Sequence, residues 1–95
     1  MIEEHRKHLL EGIRGAQDVA TALRLCCLAL FLKKTGTPLE APGKFVPQVM
    51  AIVKPDLSPE QAGFLDSCRE MVQGPTQMPG DQTQETISRL LEVAS

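Results

Sequence analysis

The sequence predicts an all-α fold: a small bundle of about four helices, led by one long N-terminal helix and completed by dimerisation. Three observations lead there. Apolar residues recur at helical spacing through the first third of the chain. Aromatic residues make up only 3%, with no Trp and no Tyr, so the core rests on residues that suit helices better than strands. Clusters of Gly and Pro at 35–44 and 74–81 then divide the remainder into helix-length pieces.

The first element is predicted as one helix over about 2–34. Ile2, Leu9, Ile13, Ala16, Ala20, Leu23, Cys27 and Leu30 keep a four-three spacing, and Arg6 fills the early position that breaks it. Gly12 and Gly15 each cost roughly 1 kcal/mol inside a helix. The stripe passes both without a change of phase, which favours a continuous helix bent near Gly12. Lys33 and Lys34 suit the last turn, and Gly36 and Pro38 supply the stop. From Val19 to Leu32 the helix is apolar almost all round, with only Thr21 and Arg24 polar. Such a helix is either wrapped by others or shared with a second chain.

After the connector, 46–54 reads as a short helix with Pro47 in its first turn. The third helix, about 59–73, has the clearest start: Ser58 as cap, Pro59 next, and Gln61 at the capping-box offset. Its stripe is Ala62, Leu65, Cys68, Met71 and Val72. The last helix, about 82–93, opens on Asp81 as cap and carries Ile87, Leu90, Leu91 and Ala94 on one face. The 95 residues are read as a single domain.

Charge is unevenly spread. Residues 1–54 hold eight basic and five acidic side chains, and residues 55–95 hold two and seven. That asymmetry offers a way for the two halves to dock on each other, or to set the register of two chains. The net charge of −2 gives no general attraction to nucleic acid. Cys26, Cys27 and Cys68 form no metal-ligand spacing and no disulfide framework, and read as small buried hydrophobes in a reducing compartment. A charged N-terminus and an apolar stretch half a membrane span long point to the cytoplasm, without membrane contact.

No phosphate loop, nucleophile elbow or catalytic carboxylate pair is present in the sequence. The functional expectation is therefore a non-catalytic protein–protein interaction or assembly module, not an enzyme, with no cofactor and no metal. It would self-associate as a homodimer or bind a partner helix through the apolar second half of the first helix. Leu25, Leu28, Phe31 and Leu32 are the candidate partner-binding residues. Two alternatives stand beside this. One is a small nucleic-acid-binding regulator using the basic N-terminal half, which includes Arg6, Lys7, Lys33 and Lys34. The other is a metal-binding helical protein using Glu4, His5, His8 and Glu11, which crowd one helix end.

Overall fold

A computed structural model describes residues 2–37, 46–73 and 80–95, and these are helical with short connections. The helices are α1 (Ile2–Arg14), α2 (Val19–Thr35), α3 (Val46–Val53), α4 (Pro59–Gln73) and α5 (Gly80–Ala94), with a 3-10 turn at Lys54–Asp56 after α3. No strand occurs among the described residues. The all-α expectation holds, with five helices in place of about four. Phe45, most of the 35–44 connector and most of the 74–81 loop lie outside the described residues.

The predicted long helix is two helices. The chain leaves α1 at Gly15, and Asp18 takes extended backbone angles (φ −139°, ψ 158°) before α2 starts. Asp18 Oδ1 accepts a hydrogen bond from the Thr21 amide at 2.7 Å, a side-chain cap on the new helix. That bond holds the Asp18 carboxyl below its ordinary value of 3.8. Gly12 has a packing role here. A Cβ on it would lie 2.9 Å from Leu25 Cδ1, so the bare backbone lets α2 fold back against α1. The stripe kept its phase across the break because Ile13, Ala16 and Val19 all turn into the same core.

α2 is the centre of the fold, touching α1, α3, α4 and α5. Val19, Ala22, Leu23, Cys26, Cys27, Leu28, Ala29, Leu30 and Leu32 are buried along it. Its near-circular apolar surface is thus covered by the chain's own helices. Ile13 of α1, Val49, Met50 and Val53 of α3, Leu65 and Cys68 of α4, and Ile87, Leu90 and Ala94 of α5 complete one core. On one face of α2, Ala22, Cys26 and Ala29 are small. There the Cys26 thiol reaches the Leu90 carbonyl of α5 at 3.4 Å, which requires close helix approach.

The helix ends are set by local chemistry. The Ser58 amide donates to Gln61 Oε1, and the Gln61 amide donates to Ser58 Oγ, so the capping box read from the sequence is formed. Gly36, at φ 72°, ends α2 with its amide on the Leu32 carbonyl at 2.8 Å. α5 begins at Gly80, so Asp81 stands inside the first turn and not ahead of it; its side chain is outside the described residues. Two ion pairs cross from one half of the chain to the other. Lys34 pairs with Asp56, and Lys54 with Asp66, each at 2.8 Å and each joining the basic half to the acidic half. Arg6 donates from Nη2 to the carbonyls of Ala94 and Ser95 at the end of α5.

Two substitutions test this account by chemical denaturation. Asp18→Ala lowers stability at neutral pH by roughly 1 kcal/mol through loss of the cap. Because the folded carboxyl titrates below its unfolded value, the cap contributes fully above the ordinary Asp range. The difference between the two proteins therefore closes as the pH falls through the lowered value. Gly63 lies exposed in mid-α4 with nothing within 4 Å of an added Cβ. Gly63→Ala raises stability by about 0.5–1 kcal/mol.

Candidate functional site

The sequence-predicted residues are not brought together on an open face. Leu28 and Leu32 are only 9% and 1% exposed. Leu25 is half-buried and faces Gly12, and Phe31 is half-buried at the edge of the core. What this part of α2 leaves open is limited to parts of Leu25 and Phe31.

The described residues instead form a cleft of about 390 Å³ where the C-terminal ends of α2 and α5 meet the N-terminal end of α4. Leu30, Val53, Leu57 and Val93 give it an apolar floor. Lys33, Lys34, Asp56, Gln61 and Glu92 form its rim. The position follows from the helix geometry. The 3-10 turn after α3 carries Asp56 to the end of α2, where Lys34 holds both its carboxylate and the Ile52 carbonyl, each at 2.8 Å. The Ser58–Gln61 capping box starts α4 just after this turn, and α4 touches α5 only sparsely.

A second hollow of about 260 Å³ shares Gln61, Glu92 and Val93 with the first and continues it along α5. There the Arg89 guanidinium lies 4.3 Å from the centre of the Phe64 ring, a cation–π contact that fixes the far wall. The cleft thus combines a floor of aliphatic side chains with a rim of both charge signs. Sequence reasoning missed this cleft, because its lining comes from four separate segments. The one local signal was the Ser58–Gln61 start of α4, which sets one wall.

Other candidate groups sit elsewhere. His8 Nδ1 is 4.0 Å from Glu11 Oε2 on an exposed face of α1, a weak contact at most. Among the described residues no group of three or more His, Cys, Asp or Glu is placed to hold a metal ion. None of the described helices is long and apolar enough to cross a membrane. Ile52, Met71 and Val72 remain exposed on α3 and α4.

The three thiols are free and buried. Burial pushes Cys27 up to about 12 and Cys68 up to about 11, and raises Cys26 further still. Around Cys68 the Arg89 charge works against that rise. None is poised as a nucleophile.

The fold and the cleft together define a class: a small helical domain built around one enclosed helix, with a cleft at the end of that helix. Comparison with known proteins identifies the family. The family model for the E3 UFM1-protein ligase 1 C-terminal domain matches residues 1–91, and the chain belongs to that family. An E3 UFM1-protein ligase 1 homolog of Trichoplax adhaerens is 28% identical over 88 residues, covering 93% of this chain and 11% of that protein. The homolog of Aedes aegypti is 37% identical over 68 residues, covering 72% of this chain and 9% of its own length. The protein of Macaca fascicularis is 36% identical over 62 residues, covering 65% of this chain and 8% of its own. The chain thus spans about a tenth of the length of the curated relatives it matches. No solved structure matches it.

These matches correct two expectations. The generic non-catalytic module, with its nucleic-acid and metal-binding alternatives, gives way to the C-terminal domain of a ligase. The expectation of no enzyme is overturned as well, since the family is that of an E3 ligase. The physical reason is one of scale. The chain matches about a tenth of the length of these ligases, and motifs absent from such a stretch say nothing of the chemistry of the relatives.

The thiols give a direct check. Labelling of the native chain by a thiol reagent at pH 8 proceeds about 100-fold or more slower than labelling in denaturant, because so little thiolate is present at these raised values. Rapid native labelling of any one cysteine contradicts the packing described.

Proposed function

We propose that this domain serves the joining of UFM1 to proteins, as the C-terminal part of a longer E3 ligase. Its share of that task is to hold a protein partner in the cleft between α2, α4 and α5. The match of residues 1–91 to the ligase family carries the first half of this reading. The cleft supports the second: four aliphatic side chains on the floor, and rim charges of both signs to orient what docks. The domain works in the cytosol, a reading supported by three free buried thiols and no disulfide among them.

Docking within a ligase is a matter of proximity. A partner held for longer near the transfer site raises the effective concentration of the reacting groups without any chemistry at the point of contact. Raised thiol values and the missing metal-ligand geometry among the described residues are compatible with that division of labour.

The test places Val93→Glu in a full-length ligase that carries this domain. Val93 is half-buried in the cleft floor, so the new carboxylate faces whatever docks there. Partner binding and UFM1 transfer both fall by about tenfold or more, the loss expected for a charge placed in an interface core. The substitution is repeated with Gly63→Ala to offset lost stability, and helix content is monitored by circular dichroism. Unchanged transfer and unchanged partner binding in the folded variant defeat the assignment of the cleft.

A further inference from the structure

We infer that the protein segment held by the cleft is ordered in charge: a short aliphatic stretch with an acidic residue on one side and a lysine or arginine on the other. The inference rests on the cleft reading proposed above, and adds to it the chemistry and the direction of the occupant.

The cleft has two distinct ends. Its two hollows follow one another along the end of α5 and share Gln61, Glu92 and Val93. Lys33 and Ser95 line only the first hollow, and Glu60 and Arg89 line only the second. The lining therefore runs from Ser95 back to Arg89, which is about 9 Å of helix.

The two ends differ in side-chain charge. At the first, Lys33 and Lys34 stand against Asp56. Lys34 is paired with Asp56 at 2.8 Å, so the exposed Lys33 is the positive charge in excess. At the second, Glu60 and Glu92 stand against Arg89, whose guanidinium lies over the Phe64 ring. That end holds one negative charge in excess. Leu30, Val53, Leu57 and Val93 form the uncharged floor. Among the described lining residues, each end thus has one surplus charge, and the two surpluses are of opposite sign.

This arrangement discriminates among occupants. A segment of one sign gains at one end and loses at the other. A wholly apolar segment answers neither surplus. A segment with an acid toward Lys33 and a base toward Glu60 and Glu92 gains at both ends, and the same segment reversed is penalised at both. Exposed ion pairs are individually weak, so the aliphatic floor supplies most of the affinity and the ends supply direction. A segment held in one direction leads the rest of its own chain out past a fixed end of the cleft.

The test selects random peptides displayed on phage against this chain. Peptides lost on Val93→Glu or on Leu57→Glu, two separate positions on the floor, are kept as cleft binders. Their sequences share aliphatic residues flanked by an acid on one side and a lysine or arginine on the other. One such peptide is then titrated by fluorescence anisotropy. Lys33→Glu weakens it about fivefold, the scale of one exposed ion pair, and exchanging the acid of the peptide for lysine restores binding to that variant. Glu92→Lys acts in the same way on the base of the peptide. Both side chains are exposed, so both variants keep the fold, and a folding defect gives no such rescue. Cleft binders without charge order, or binders held equally by both charge variants, overturn the inference and leave the cleft standing. If no peptide is lost on a floor variant that keeps native helix content, the inference and the cleft reading fall together.

Discussion

Everything in this fold follows from the need to keep water from α2. Its apolar residues run nearly full circle, with only Thr21 and Arg24 exposed as polar breaks in the most apolar stretch. A helix of that kind has no solvent side to offer. Four other helices are therefore placed against it, and their own shorter stripes are what cover it. Each buried aliphatic side chain contributes roughly 1.5–3 kcal/mol through removal from water. No buried polar or charged residue interrupts this core among the described residues. Close packing such as Gly12 against Leu25 fixes how the helices fit. Polar contacts add to this at the rim: the Asp18 cap, the Ser58–Gln61 box, the Lys34–Asp56 and Lys54–Asp66 pairs, and Arg6 on the end of α5.

Where local chemistry decides the structure, the sequence is readable. Ser58, Pro59 and Gln61 announce α4 and form the cap they imply. Lys33, Lys34 and Gly36 announce the end of α2. The all-helical class follows from periodicity and from the shortage of aromatic residues. The division of the first helix was not read, because two signals conflict at one place. The apolar stripe keeps its helical phase through Ala16, while Gly15 and Asp18 mark a stop and a start. The stripe reflects what the core demands of both arms, and it is silent about whether they are joined by a straight segment or a turn. Gly12 is the residue that could have decided it, since a glycine facing a leucine from the next arm is a mark of folding back.

The candidate site was less legible. Leu25, Leu28 and Leu32 lie on the side of α2 away from the main stripe, with Phe31 between, yet α2 is largely enclosed on that side too. The cleft gathers Leu30, Val53, Leu57 and Val93 from four segments, none of which carries a pattern of its own. Membership of the ligase family was beyond such reading altogether. Fold physics constrains what buries what, and this chain matches only about a tenth of the length of its relatives, so a shared fold carries little of their task.

Arg6 has one consequence for how the domain tolerates substitution. It fastens the first helix to the last turn of α5 through two carbonyls, across 88 positions of sequence. The junction is a pair of hydrogen bonds at the rim, both made by one side chain, so a single substitution at Arg6 removes them together. α2 is held by four helices at once and hangs on no single contact. Margin and centre of the domain thus differ in how many changes each can absorb.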